Sequence, residues 1–238
     1  MIRRQKSMRF LGGYYAFPGG AVDAGDRTPA TFARCRGLTP ADAERAIPSQ
    51  EGLPALAFWI TAARELLEET GLLLSSDSAG RPIDARDAAV AARVSRTRDA
   101  LLAGEAPLHD LLAREGWWLD VGSLRYLSHF ITPPSSPIRF TARFFLAPVP
   151  EGQAVRHFAE EAAEAFWIDP REGYQRFRLG EMPMAEPADC GLAYLSLFES
   201  CEALWAAHAD GRHKFHGILD RVEAAGVDVR RQRGGRPS

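Results

Sequence analysis

The amino-acid sequence predicts an α/β or α+β fold in which helices flank a mixed sheet, and three observations carry this. A helix-length amphipathic run spans residues 53–70 and stops at Gly71. Two β-branched and aromatic runs, residues 124–132 and 138–149, are separated by Pro133-Pro134-Ser135-Ser136-Pro137. Helical patterns recur before and after those runs, so neither type of element is confined to one end of the chain.

Taken in order, residues 12–25 are rich in glycine and aromatics, and 13–17 read as a short strand running into a Pro18-Gly19-Gly20 turn. Residues 28–53 mix Thr, Pro, Ala and charges around a helical stretch at 40–47 and read as an insertion. Pro54 then opens the helix, and Gly71 ends it in the position that favours a left-handed residue. The Ala-, Arg- and Leu-rich stretch 84–115 predicts two helices, broken at Gly104 and Pro107. Two strands follow around the proline-rich loop, with a third short strand at 165–168 and helices near 192–207 and 215–225. The basic end, residues 230–238, reads as a disordered tail.

With 238 residues and 46% hydrophobic content, the chain can bury a sizeable core. Its formal charge of -2 gives no global attraction to nucleic acid or membrane, so any anion site must be local and neither partner is expected. The three cysteines, Cys35, Cys190 and Cys201, have no CxxC spacing, which argues against a disulfide framework or a zinc site and for a reducing cytoplasm. No apolar run reaches about 18 residues and the first residues lack an apolar signal core, so a soluble, unexported protein is expected. His208, His213 and His216 place at most two rings on one face, which does not make a metal site. Ser7, Ser49 and the cysteines have no companion histidine at a recognisable spacing, so nucleophilic catalysis by a side chain is not expected.

Glu65, Glu68 and Glu69 share one face of the 53–70 helix by i, i+3 and i+4 spacing, while Trp59, Ala63, Leu66 and Leu67 point the other way. The three carboxylates are expected to project outward together, with no Lys or Arg among them on that face. Like charges at this spacing repel by a few tenths of a kcal/mol per pair. A divalent cation supplies the missing charge, and an all-oxygen set suits magnesium, manganese or calcium. An acidic, solvated helix face has the same pattern.

The surrounding residues separate these readings. Arg64-Glu65-Leu66-Leu67-Glu68-Glu69-Thr70-Gly71 resembles the second half of the Nudix box, and the stretch from Phe17-Pro18-Gly19-Gly20 to Asp26 resembles its first half. The resemblance implies a Nudix-type α/β/α sandwich with a central mixed sheet, an inserted helical lobe and C-terminal helices. It also implies that Glu65, Glu68, Glu69 and the Gly20 carbonyl hold Mg²⁺ or Mn²⁺, that Arg64 is tied to residue 26, and that Arg64, Glu65 and Glu68 are catalytic. Asp26 stands where the family usually has Glu, and residues 27–63 fill what is usually a short spacer. Loop-closure entropy grows only logarithmically with length, so such an insertion leaves the turn-to-helix geometry available. A subset of the family that acts on coenzyme A esters carries a long insertion at this place, and the resemblance extends to it.

Arg4, Arg9, Gly13 and Phe17-Pro18-Gly19-Gly20 resemble the signature that precedes the box in coenzyme A diphosphatases. The first residues, Met1-Ile2, fall inside what the family makes a strand. Arg4, Lys6 and Arg9 place cations beside the box, either for a substrate with several phosphates or as surface charges. Arg143, on the strand run 138–149, binds phosphate or pairs with a glutamate. Glu160, Glu161 and Glu164 precede Trp167 as further acidic candidates, for a metal ligand or general base. The resemblance therefore implies one Nudix domain over 1–229, with 27–63 inserted in the box, a helical segment at 84–116, and the tail 230–238. Its activity is expected to be cleavage of coenzyme A or acyl-CoA to adenosine 3′,5′-bisphosphate and (acyl-)phosphopantetheine. ADP-ribose, NADH or a nucleotide sugar is the alternative substrate, and a non-catalytic Nudix-fold binding module the alternative role. The partner is a small-molecule diphosphate, and a homodimer is left open.

Overall fold

The computed structural model describes residues 1–7, 11–47, 52–132, 134, 141–156, 158 and 162–209. Strands β1 (Ile2–Arg3) and β2 (Tyr15–Ala16) are followed by a 3-10 turn at Gly25–Arg27, then α1 (Pro29–Ala33), β3 (Cys35–Arg36), α2 (Pro40–Ala46), α3 (Ala55–Thr70) and β4 (Ser75–Ser76). The chain continues through α4 (Ala88–Leu102), α5 (Leu108–Glu115), β5 (Trp118–Asp120) and a second 3-10 turn at Val121–Ser123. It ends with β6 (Arg125–Ile131), β7 (Thr141–Leu146), β8 (Glu164–Ala165), α6 (Pro170–Arg178), α7 (Glu186–Leu195) and α8 (Cys201–Ala207). The architecture is mixed α/β, as the sequence predicts. No described helix is long and apolar enough to cross a membrane.

The strands form small sheets with both kinds of pairing. β1 lies between β2 and β8, antiparallel to each. β5 lies between β3, which is parallel to it, and β4, which is antiparallel. β6 and β7 form an antiparallel pair with an irregularity between Tyr126 and Ser128.

Local chemistry accounts for most helix starts. Thr39 and Asp42 form a reciprocal capping box on α2, and Thr28, Asp87, Asp169 and Ser200 accept first-turn N–H groups of α1, α4, α6 and α8. α3 stops at Gly71, whose φ of 75° a side-chain-bearing residue adopts only with strain. Its first two turns are buried throughout, and Leu56, Trp59, Ile60, Ala63 and Leu67 pack with Leu73, Leu112, Leu119 and Tyr126. Fully burying one such large side chain stabilises the fold by roughly 1.5–3 kcal/mol. A second cluster, including Tyr15, Tyr174, Phe177, Met182, Leu192 and Tyr194, joins β2 to α6 and α7. The loop after β2 therefore runs from one core to the helix that organises the other.

Several elements differ from the sequence expectation. The third strand is Glu164–Ala165 rather than 165–168, because Asp169 and Pro170 at the cap and first turn of α6 commit the chain to a helix. α6 was not expected, and α7 begins at Glu186, before 192. The region read as an insertion contributes a strand: β3 pairs Cys35 with Leu119 and Arg36 with Asp120. Its α2 places Ala43 and Ile47 in the core around α3. The expected helix at 215–225 and the tail at 230–238 lie outside the described residues.

Candidate active site

Asp26 is 2% exposed and sits in the 3-10 turn that follows the glycine-rich loop. Its Oδ2 accepts hydrogen bonds from the Asp23 N–H at 3.0 Å and the Thr61 hydroxyl at 2.8 Å. Arg64, 5% exposed on α3, points its guanidinium at this carboxylate. Nε lies 3.0 and 3.2 Å from the two Asp26 oxygens, and Nη2 donates to Asp26 at 3.1 Å and to the Ala21 carbonyl at 2.9 Å. The other nitrogen, Nη1, lies 2.8 Å from Glu68 Oε2 and 2.9 Å from Glu65 Oε1. Arg64 thus joins the glycine-rich loop, the 3-10 turn and the acidic face of its own helix, using the planar donor fork that lysine lacks.

This corrects two expectations. A cation does lie among the carboxylates, because the Arg64 side chain reaches toward Glu65 and, one turn further on, Glu68 rather than leaving their face. Nor do the carboxylates project into solvent: the Glu65 and Glu68 side chains are only 13% and 17% exposed. Burial pushes both carboxyls above the usual carboxylate range. Arg64 opposes the shift, while neighbouring carboxylates, Asp26 among them, add to it. Burial also works against the charge on Arg64, but Asp26, Glu65 and Glu68 more than offset it and raise its pKa.

Glu69 is held separately, its Oε2 accepting the Gly19 N–H at 2.7 Å. Gly20 lies so close to Glu65 that a Cβ there would overlap the carboxylate, 2.6 Å from its Cδ. The Pro18-Gly19-Gly20 turn is therefore fitted to the acidic face at two points, and a side chain at the second would displace the Glu65 carboxylate from its present position.

Among the described residues, no three His, Cys, Asp or Glu side chains are grouped as ready metal ligands. Glu65 and Glu68 turn to Arg64, and Glu69 turns to Gly19. The donor chemistry nonetheless fits a hard divalent cation. The available groups are carboxylate and carbonyl oxygens, and one guanidinium leaves their charge under-neutralised.

A cavity of about 860 Å³ opens beside this face, bounded by Glu65, Gly19 and Gly20 and lined largely by apolar and aromatic side chains such as Phe17, Phe144, Phe166 and Leu195. Its charged lining residues are Glu65, Arg4 and Arg143. The backbone of Arg4 pairs with Tyr14 and Gly13, which sets its side chain at the cavity, and its buried Nε has no hydrogen-bond partner among the described residues. Arg143, on β7, places its Cζ 3.6 Å from the Phe58 ring centroid and so packs on α3. Glu164, by contrast, is taken up in β8 by an ion pair with Arg3 at 3.2 Å. Arg9, Glu160 and Glu161 lie outside the described residues, as do His213 and His216. His208 is buried and its Nε2 lies 3.1 Å from the Tyr194 hydroxyl.

The sequence reading missed Thr61 and Asp23 as supports of Asp26. Thr61 was within reach, since it stands one turn before Arg64 on the same helix. Apart from the site, Asp189 is buried in the first turn of α7, and its Oδ1 has no hydrogen-bond partner among the described residues. Burial, helped by Glu186, pushes its carboxyl up to about 7.

No family model matches the chain. It is 27% identical over 242 aligned positions to the acyl-coenzyme A diphosphatase NUDT19 of Gallus gallus, an alignment covering 88% of this chain and 64% of that protein. The chain thus spans a little under two thirds of the length of this curated relative. Among solved structures it is similar to a NUDIX hydrolase from Alicyclobacillus acidocaldarius, at 34% identity and a TM-score of 0.64 over 84% of each chain. Similarity of sequence and fold at that level, over most of both chains, shows that this chain belongs to the Nudix hydrolases.

Proposed function

We propose that the protein cleaves the diphosphate of coenzyme A or an acyl-CoA, releasing adenosine 3′,5′-bisphosphate and (acyl-)phosphopantetheine. Nudix hydrolases act on small-molecule diphosphates with a divalent metal ion. In this reading Glu65, Glu68, Glu69 and the Gly20 carbonyl hold Mg²⁺ or Mn²⁺. When bound, the ion supplies charge neutralisation at the diphosphate oxygens and acidifies water for attack.

The chain's own groups do the rest. Arg64, anchored on Asp26, keeps Glu65 and Glu68 facing the glycine-rich loop. One of these carboxylates is also the group that takes the proton of the attacking water. Glu69 holds the loop through the Gly19 N–H, and Gly20 packs against the Glu65 carboxylate. Arg4 and Arg143 bind phosphates. The apolar walls exclude water and receive the pantetheine arm or its acyl group. Residues 1–229 then form one hydrolase domain.

One observation carries the choice of a polyphosphate substrate. The buried Arg4 Nε has no partner among the described residues and lines the same cavity as Glu65. A buried donor left unpaired is costly, and a phosphate oxygen satisfies it with a charge-assisted bond. The curated relative named for acyl-coenzyme A supports the same substrate class. The test is parallel progress curves on coenzyme A, an acyl-CoA, dephospho-coenzyme A, ADP-ribose and NADH at one concentration of Mg²⁺ or Mn²⁺, with products identified. Coenzyme A or its ester is expected to be cleaved fastest. Equal rates on all, or ADP-ribose fastest, removes this substrate while leaving the family assignment.

A further inference from the structure

The last turn of α3 carries Glu68 and Glu69, and its carbonyls have no intrahelical acceptor role left to fill. Their partners are nevertheless specific. Gly71 N–H goes to the Leu67 carbonyl at 2.9 Å. The N–H that would continue the ladder onto Glu68, that of Leu72, turns instead toward the Thr70 hydroxyl at 3.4 Å. The Glu68 carbonyl is taken by the side chain of Arg98, whose Nε donates at 2.7 Å. The Thr70 carbonyl is taken by the backbone N–H of Arg156 at 2.9 Å.

These two donors belong to one assembly. Arg98 is 2% exposed on α4, and its Cζ lies 3.2 Å from the centroid of the Phe158 ring. The edge of that ring meets Gly71, where an added Cβ would lie 3.3 Å from it. Arg156 Nη1 donates at 2.8 Å to the Ser95 hydroxyl, one turn before Arg98 on α4. The end of α3, the middle of α4 and the residues Arg156 and Phe158 are thus closed on one another around a buried guanidinium.

We propose that Arg98 is a positioning residue for the reaction: by bonding the Glu68 carbonyl and stacking on Phe158, it fixes the terminal turn of α3 and with it the Glu68 and Glu69 carboxylates. The inference rests on the assignment of these carboxylates as metal ligands. Helix ends fray unless their carbonyls find partners, and a cation at a helix C-terminus is also favoured by the helix dipole. Arg64 and the Gly19 N–H hold the Glu68 and Glu69 carboxylates from the loop side, while Arg98, beside the Arg156 N–H, is the side chain that holds the backbone of the terminal turn from the other side. Arg93, on the same helix, is the natural control. It makes an equivalent stacking contact, 4.6 Å from the Trp117 ring centroid, and its guanidinium pairs with Glu115 of α5 rather than with a carbonyl of α3.

The test reads Mn²⁺ binding to the substrate-free full chain by electron paramagnetic resonance, together with kcat and KM. Arg98→Met is expected to weaken Mn²⁺ binding about tenfold and lower kcat similarly, with KM changed less than about twofold. Arg98→Lys is expected to recover part of both, and Arg93→Met to leave Mn²⁺ affinity alone whatever it does to the melting temperature. If Arg98→Met does not fold, Phe158→Leu, which removes the ring under the guanidinium, is expected to shift affinity in the same direction by at least about threefold. A change below threefold in the variant that folds overturns the proposal, as does an equal change in Arg93→Met. Glu68→Gln, measured alongside, separates the two levels. If it leaves Mn²⁺ binding intact, the ligand assignment falls and this inference with it. If it abolishes binding while Arg98 variants do not, only the role of Arg98 falls.

Discussion

Arg64 and Asp26 form a buried pair in which the guanidinium Nε lies 3.0 and 3.2 Å from the two carboxylate oxygens, with both residues no more than 5% exposed. The pair spans residues 27–63 and closes the glycine-rich loop onto α3. Asp26 is the shorter of the two acidic residues, and the Thr61 hydroxyl and Asp23 N–H hold its carboxylate in reach of Arg64.

Removing one side of that pair leaves a buried charge with fewer partners, which typically destabilises by about 3–5 kcal/mol. Arg64 retains Glu65 and Glu68, so Asp26→Asn is expected at the low end, near 3 kcal/mol. Urea denaturation of parent and variant measures it. A loss below about 0.5 kcal/mol, the usual size for a surface change, would show that the pair does not carry the loop-to-helix junction.

Glu68→Gln and Glu69→Gln are each expected to lower turnover by about two orders of magnitude or more, because each removes metal-binding charge. Their effects on stability should differ. Glu68→Gln takes a partner from Arg64, whereas Gln at 69 still accepts the Gly19 N–H and should melt close to the parent. Steady-state rates and melting curves together check this, and parent-like turnover in both variants removes the site.

Arg4→Ala is expected to narrow the preference for coenzyme A over dephospho-coenzyme A. A charge-assisted hydrogen bond is worth roughly 1.5–3 kcal/mol, so the loss in kcat/KM on the better substrate should be about tenfold to a hundredfold. Uniform loss on both substrates would place Arg4 on the diphosphate rather than on the extra phosphate.

Asp189 gives the fold a pH dependence of its own. Its carboxyl ionises near 3.8 when the chain is unfolded and near 7 when buried in α7. Between those values the native state keeps a proton that the unfolded state has lost, so this group's contribution to stability falls as pH rises, and the loss is complete above about 7. Asp189→Asn should therefore be more stable than the parent at pH 8, by on the order of 1 kcal/mol or more, with the difference shrinking toward pH 4. A difference that does not vary with pH would exclude Asp189 as its source.

Whatever depends on neighbours along the chain is legible in the order of the residues alone. The spacing of Glu65, Glu68 and Glu69, the stop at Gly71 and the breaks at Gly104 and Pro107 all rest on local periodicity and backbone preference, and they recur in the structure. The motif pairing of Arg64 with residue 26 was legible only as a resemblance. Tertiary structure decided the charge state and exposure of the acidic face. Arg64 turns inward because Asp26 and the Ala21 carbonyl, far away in sequence, are brought to it, and that is why a face that reads as solvated is mostly buried. The same holds for β3, whose parallel partner β5 lies beyond α3 and α4, and for Arg98, an unremarkable arginine in an Ala- and Arg-rich helix until its carbonyl partner on Glu68 is known. A hydrogen bond between distant segments leaves no periodic mark in either one; it exists only once the chain has closed the loop between them.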